Sequence, residues 1–287
     1  MTNIKEKNSE IYKKEIQQSL EEVEDILSDL EINDWVEVED FNRLFNRSSR
    51  DIISSWTSGR KYSRTVFAKK AFGDTFPDDL MVFSLSVDVM INILDDFLDE
   101  NLTNTRKENY VIEFLRNFSI YNHMDIPEEL RDSVGLYLNK LITLALSENI
   151  YENNLKNEED LEKIASASVE LLKCRGMDMD IFAEIALINH KENNEEIKKL
   201  FRIFRALNIF KKDILDISYD RDNGIKTVVI IALDKNFEFD EYTNLIIKNL
   251  EESSNNTLKE IDDPVADKIG GMIKREGGEV KKIIKSL

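Results

Sequence analysis

The sequence predicts an all-α protein, a single-domain helical bundle over residues 1–287. Only 9 glycines and 3 prolines occur, which leaves few of the turns that β-rich folds need. Apolar residues recur every three or four positions through charged segments, the spacing of amphipathic helices. No Ser/Gly/Pro-rich linker and no repeat of solenoid period interrupts this pattern, so one domain is expected.

Charge and cysteine content narrow the class of protein. A formal net charge of -18 would repel nucleic acid and anionic membranes from most of the surface. Cys174 is the single cysteine, so no disulfide can form within the chain. The N-terminal segment lacks the apolar core of a signal peptide, and no run reaches the roughly 18 apolar residues of a transmembrane helix. We therefore expect a cytoplasmic protein with no transmembrane segment. A homodimer is compatible with the sequence.

The helical pattern begins with apolar residues from Ile11 to Leu30 in a charged segment that ends near Asn33. Two later segments, Leu80–Leu98 and Phe201–Ile217, are apolar on most faces, which predicts that each is central in a bundle. After the first helix, helices are predicted at about residues 40–56, 62–73, 78–100, 107–121, 127–149, 158–175, 178–190, 195–220, 225–234, 239–261 and 264–286.

Acidic residues close the first of these apolar helices, in the sequence DDFLDE that begins at Asp95. Asp95 and Asp99 lie one turn apart on one helical face, so their carboxylates can hold the same hard cations through oxygen. The alternative is a solvated acidic helix end. The helix macrodipole opposes negative charge at a C-terminus, however, and this favours a compensating cation.

A second acidic cluster, Asp213, Asp216 and Asp220, has spacings of three and four and also lies on one helical face. Three like charges this close favour a metal or a cationic ligand, with chance surface charge as the alternative. Arg221 and Lys226 follow directly in the basic segment RDNGIKT, which is placed to contact the phosphates of a bound ligand. Two such clusters on centrally apolar helices favour a binding site.

These motifs resemble those of the trans-isoprenyl diphosphate synthases and the related class I terpene synthases, over about residues 50 to 235. Asp95–Asp99 matches their first aspartate-rich motif, DDxxD, and FKKDILD (Phe210–Asp216) resembles the second motif of the synthases. The resemblance implies a bundle of the isoprenoid synthase type with a central active-site cavity for a prenyl diphosphate substrate. It also implies Mg²⁺ held by Asp95, Asp96, Asp99, Asp213, Asp216 and Asp220.

Two departures from the coupling enzymes favour a terpene synthase. Lys212 replaces the first aspartate of the second motif, and Asp88 stands where chain-elongating synthases have a histidine for isopentenyl diphosphate. We therefore predict a Mg²⁺-dependent lyase that ionises and cyclises farnesyl or geranylgeranyl diphosphate. The alternatives are a prenyltransferase that couples an allylic diphosphate with isopentenyl diphosphate, a squalene/phytoene-synthase-like enzyme with Asp216 and Asp220 as its DxxxD motif, and a non-catalytic partner subunit.

The resemblance also implies roles for residues around the acids. Arg175, at a break in the helical pattern, is placed like a phosphate-sensing arginine, although a plain glycine stop at Gly176 is the alternative. His123 and His190 have no partner at metal-ligand spacing. The expected diphosphate-binding residues are Arg175, Lys212, Arg221 and Lys226. The expected residues of the substrate pocket are Phe83, Met90, Ile91, Phe182 and Phe204. Ordinary core packing is the alternative for the phenylalanines.

Overall fold

The computed structural model describes residues 64–98, 118, 126–140, 155, 158–190 and 192–286. Every regular element in these ranges is helical and none is a strand, which confirms the all-α prediction. The chain divides into two compact units, Lys13–Gly135 and the combination of Met1–Tyr12 with Leu136–Leu287, and each is described by itself. In this described part, no helix has the length and apolar character needed to cross a bilayer. The helices predicted at about residues 11–30 and 40–56 lie outside it.

In the Lys13–Gly135 unit, α1 (Arg64–Phe72) packs against α2 (Met81–Leu98). Between them, short 3₁₀ turns cover Gly73–Thr75 and Asp78–Leu80. The side chains of α2 described from residue 83 to 88 are all buried, polar ones included, which confirms that this segment is central in its unit. A further helix, α3, covers residues 128–140, of which residues 136–140 belong to the other unit.

The Leu136–Leu287 unit is built around α6, which contacts most of the other helices of the unit and is buried along most of its length. This confirms the prediction for the apolar segment that begins at Phe201. The unit contains a 3₁₀ turn at Gly176–Met179 and the helices α4 (Leu161–Arg175), α5 (Asp180–Ala186), α6 (Asn194–Leu215), α7 (Ile217–Asp222), α8 (Val228–Asp234), α9 (Phe239–Leu258) and α10 (Pro264–Ile284).

Two predicted helices in this unit need correction. The single helix predicted at 195–220 is wrong, because α6 ends at Leu215 and α7 begins after a turn residue, Asp216, with φ -93° and ψ 5°. The helix predicted from residue 225 begins only at Val228. Thr227 is extended there, and its hydroxyl accepts a hydrogen bond from the Ile230 N–H, which caps α8.

Gly176 follows α4 and starts the 3₁₀ turn with φ -63°, a helical conformation open to any residue. Gly176 therefore does not end α4 by adopting the left-handed conformation that glycine often has after a helix. A Cβ at this position would lie 2.6 Å from the backbone carbonyl oxygen of Arg202 on α6. The absence of a side chain lets the end of α4 approach the α6 backbone, so a close contact explains the glycine.

We expect Gly176→Ala to lower the free energy of unfolding by about 2 kcal/mol, because the new methyl group must displace backbone rather than a mobile side chain. Gly271→Ala is the matched control. It makes the same chemical change within α10 at an exposed position where nothing lies within 4 Å of a new Cβ, and it should stabilise by up to about 1 kcal/mol. Urea unfolding of both variants measures the difference, and equal effects at the two glycines would refute the close-contact explanation.

The start of α10 is fixed by Asp263, which is buried and accepts hydrogen bonds from the Val265 and Ala266 N–H groups. His190, which follows the turn after α5, contacts the same carboxylate through Nε2 at 2.8 Å. Burial alone would raise the pKa of Asp263, but the hydrogen bonds from His190, Ala266 and Val265 outweigh burial and hold that pKa below its ordinary value. The carboxylate is therefore stabilised in its charged form.

We expect Asp263→Asn to lower the free energy of unfolding by about 1 kcal/mol at pH 6, because the amide keeps the cap but loses the charge that His190 contacts. A lowered native pKa stabilises the fold above the ordinary aspartate pKa, so the difference from wild type should shrink below about pH 4. Asp160→Asn changes the cap of α4, where no histidine contact is described, and should cost less. A difference that persists unchanged at pH 2.5 would contradict this account.

Candidate functional site

The second acidic cluster lies where α6 turns into α7. Asp213 is in the last turn of α6, Asp216 is the turn residue, and Asp220 is in α7. The turn keeps the helical hydrogen bonds, with the Asp216 N–H bonded to the Lys212 carbonyl at 2.9 Å and the Asp220 N–H bonded to the Asp216 carbonyl at 2.8 Å. The three acids therefore stay near one another despite the change of helix.

Burial and mutual repulsion set the electrostatics of this cluster. Asp213 and Asp220 are 4% and 6% exposed. Burial raises the pKa of Asp213, and the nearby Arg175 and Lys212 only partly oppose it. Burial, followed by the charges of Asp213 and Asp216, raises the pKa of Asp220 to about 6. The cluster thus holds more negative charge than the surrounding protein compensates.

Arg175 reaches this cluster from the end of α4. Its Nη1 lies 3.2 Å from Oδ2 of Asp213, and the arginine side chain remains 30% exposed. The sequence placed Arg175 at a helix break, and α4 does end at this residue. The structure therefore brings one predicted phosphate-binding cation to one predicted metal ligand.

Two more ion pairs join the residues that follow Arg175 to α6. The Asp180 carboxylate accepts hydrogen bonds from Nε and Nη2 of Arg202, both at 2.6 Å. The Asp178 carboxylate accepts from Nε and Nη2 of Arg205, at 3.1 and 2.8 Å. With the pair between Arg175 and Asp213, these contacts join residues 175–180, here called the break segment, to α6 at three points.

The sequence analysis missed these two pairs. Asp178 and Asp180 lie in RGMDMD, two and four residues after the glycine, and Arg202 and Arg205 interrupt the mainly apolar run of α6 from Phe201 to Phe210. Charged residues inside an apolar helix were a signal that buried partners exist, because an isolated buried charge is costly. The pattern contained no information on which acid pairs with which arginine.

The other predicted phosphate-binding residues differ in their contacts. Lys212 and Arg221 are exposed, and among the described residues neither has an acidic partner within ion-pair distance. Lys226 is paired with Asp234, 2.5 Å from its Oδ2. Lys212 and Arg221 are therefore the cations next to the acidic cluster that stay available to an anion.

The first acidic cluster is described only in part. The backbone of Asp95 and Asp96 belongs to the last turn of α2, but their side chains and all of Asp99 lie outside the described residues. These two clusters also belong to different units. The predicted joint metal site therefore stays a prediction.

The expected pocket residues are all buried. The core of the Lys13–Gly135 unit contains Phe83, Met90 and Ile91. The core of the Leu136–Leu287 unit contains Phe182 and Phe204. This burial agrees with the alternative of core packing. Their role in a substrate cavity stays a prediction.

The donor chemistry of the second cluster fits Mg²⁺. Within the described ranges, no three His, Cys, Asp or Glu side chains converge to hold a metal on their own. Mg²⁺ usually takes only one or two carboxylates and completes its shell with water and phosphate oxygens. Asp220, with a pKa of about 6 caused by burial and neighbouring carboxylates, is an oxygen donor that a divalent cation would relieve.

Asp88 has a structural partner set that the sequence did not indicate. It is buried, accepts a hydrogen bond from the Thr65 N–H at 3.0 Å, and lies 3.5 Å from Nη1 of Arg64. It therefore stabilises the start of α1. Because Arg64 lies close enough to compensate its charge, Asp88 is a weaker argument against an isopentenyl diphosphate site than the sequence suggested.

Comparison of the chain with protein families, with curated proteins and with solved structures gave no match.

Asp220→Asn should increase the free energy of unfolding by about 2 kcal/mol at pH 7.5, because a native pKa near 6 makes the charged form unfavourable in the fold. Between about pH 4 and 6 the native state keeps a proton that the unfolded chain loses. The free energy of unfolding of the wild type therefore falls as the pH rises through this window. The gain from the substitution should therefore shrink toward zero below about pH 4. Asp262→Asn, at an exposed aspartate, is the control and should give no such dependence in urea unfolding. A gain at Asp220 that is independent of pH would contradict the assignment.

Proposed function

We propose that this protein is a Mg²⁺-dependent class I terpene synthase that acts on farnesyl or geranylgeranyl diphosphate. The observation that carries the proposal is the under-compensated acidic cluster of Asp213, Asp216 and Asp220, two of them buried, with Arg175 bound to it. Such a combination of carboxylates and an arginine suits a metal-bound diphosphate, since the acids hold the metal and the arginine contacts the phosphate. The DDxxD sequence at Asp95–Asp99 supports the same chemistry.

Asp216 and Asp220 would hold the metal in this unit. When bound, Mg²⁺ would add positive charge beside the leaving diphosphate. Arg175 now shares its charge with Asp213. A diphosphate competes for this guanidinium because phosphate oxygens accept the same paired hydrogen bonds.

The reaction breaks the allylic carbon–oxygen bond, and both electrons leave with the diphosphate oxygen. Arg175, Lys212 and Arg221 stabilise the charge that develops on these oxygens. The allylic cation takes electrons from a double bond of the same chain to close a ring. It then loses a proton to give a hydrocarbon, or adds water and loses a proton to give an alcohol. No second substrate is required.

Prenyl coupling is the second candidate, and one observation favours keeping it. Asp88 was an argument against an isopentenyl diphosphate site, yet its carboxylate is buried against Thr65 and Arg64. Only Lys212, at the place of the second motif's first aspartate, still argues against coupling.

The experiment incubates the full chain with Mg²⁺ and farnesyl or geranylgeranyl diphosphate, with and without isopentenyl diphosphate. We expect diphosphate release with a hydrocarbon or alcohol product from the single substrate, and no incorporation of isopentenyl diphosphate. Asp99→Asn and Asp220→Asn should each lower kcat/KM by at least about 100-fold with unchanged helical circular dichroism, because each removes a metal ligand. Asp262→Asn is the control.

Formation of a longer prenyl diphosphate would reject the cyclase and favour the coupling enzyme. Absence of turnover with every substrate combination would favour the non-catalytic partner subunit. Full activity of both aspartate variants would remove these clusters from the mechanism.

A further inference from the structure

A cavity of about 270 Å³ lies between α4, α6 and α9 of the Leu136–Leu287 unit. None of the residues assigned above to the metal, the diphosphate or the prenyl chain lines it. Arg202, in its wall, and Asp213 are eleven residues apart on α6, about 16 Å along the helix axis. The cavity is therefore separate from the acidic cluster.

Cations outnumber acids in the lining. Lys173, Lys199 and Arg202 line the cavity with one acid, Glu170, which pairs with Lys173 at 3.0 Å and leaves Lys199 and Arg202 without an acid of the lining, in a chain whose formal net charge is -18. The carboxylate that binds Arg202 belongs to Asp180, which does not line the cavity. A local excess of positive lining groups in a strongly acidic protein indicates a site for an anion.

The donors in this wall are partly pre-positioned. Asp180 holds Arg202 through Nε and Nη2, so the orientation of the guanidinium is fixed while its Nη1 takes part in neither bond. Lys199 is 56% exposed, and its Nζ lies 3.8 Å from the nearest carboxylate oxygen, of Glu196, too far for a strong hydrogen bond. Both residues can therefore donate to a new acceptor without losing a short contact.

The remaining lining limits the size and nature of the anion. Met177 and Ile203 supply apolar surface, while Ser253 and Thr257 supply hydroxyl groups. A volume near 270 Å³ is at the lower end of the range for small-molecule sites. We propose that the cavity binds a small organic anion, a phosphate or carboxylate on a short apolar group, and that this binding is coupled to the acidic cluster through the break segment.

The coupling follows from the two sides of the break segment. Met177 lines the cavity, as does Cys174 immediately before the segment, and Arg175 between them binds Asp213. Arg202 lines the cavity, and its backbone lies against Gly176. An anion that pulls on Arg202 therefore acts on the element that positions Arg175. This coupling rests on the proposed function, whereas anion binding does not.

Cys174 makes the site measurable because it lines the cavity and is the single cysteine of the chain. We would follow its alkylation by N-ethylmaleimide in EDTA, with n-butyl phosphate, butyrate or n-butanol as the added compound. At least one anion should slow alkylation by about fivefold or more at millimolar concentration, and neutral butanol should not. The comparison of butyl phosphate with butyrate identifies the preferred anionic group. Equal protection by butanol, or no protection by either anion, would overturn the proposal.

Lys199→Gln removes one cavity charge at an exposed position and should weaken the protecting anion about tenfold, as expected for a lost charged hydrogen bond. Lys248→Gln is the matched control. Lys248 is also exposed and loosely paired, at 3.8 Å from Glu252, but does not line the cavity, and its loss should have no effect. Equal weakening by both substitutions would show general electrostatics and overturn the site.

The coupling is tested with Asp213→Asn, which releases Arg175 from its ion pair. The anion concentration for half-maximal protection should change about threefold or more, because coupled sites affect each other reciprocally. In the assay with prenyl diphosphate, the same anion should change the KM of wild type but not that of Lys199→Gln. An unchanged half-maximal concentration overturns the coupling. Loss of turnover alone rejects the proposed function, because protection of Cys174 is measured without substrate.

Discussion

Three ion pairs between the break segment and α6 determine the geometry of the larger unit. They join Arg175 to Asp213, Asp178 to Arg205 and Asp180 to Arg202, so the break segment runs antiparallel to α6. Each pair buries at least one carboxylate, and a buried carboxylate without its partner costs several kcal/mol, commonly about 3–5. A shift of the break segment by one helical turn would break all three pairs at once. The pairs therefore specify one register, and the absence of a side chain at Gly176 allows the close approach that this register needs.

This rigid contact explains how an unfavourable cluster of acids is maintained. The end of α6 is held by the core and by Arg175, so Asp213, Asp216 and Asp220 cannot move apart to relieve their repulsion. This constraint is reflected in the pKa of Asp220, which burial and the neighbouring acids raise to about 6. Strongly shifted carboxylates of this kind are common where a protein binds a cation or performs acid–base chemistry. The energy that the fold loses here becomes available when a cation binds, since binding removes the repulsion.

The sequence predicted the helical class and the elements that carry the acids, because hydrophobic periodicity reports burial directly. It correctly made α6 and α2 central. It could not predict the turn at Asp216, since the hydrogen bonds on both sides of that residue still follow the helical pattern. It also did not indicate the partners of Asp88, because Thr65 is 23 residues away, at the start of another helix. Pairings between helices depend on their relative register, and the periodicity of one helix carries no information about it.

Asp213 and Asp216 differ in a way that refines the proposed chemistry. Asp213 is 4% exposed and bound to Arg175, whereas Asp216, at the turn, is partly exposed. A metal at Asp213 would have to displace Arg175 from this carboxylate. A metal at Asp216 and Asp220 displaces no ion pair described here. In the proposed reaction, Asp213 is therefore better suited to position Arg175 than to hold the first metal. The diphosphate would bring oxygens that compete for Arg175, so the metal and the phosphate would favour one another's binding.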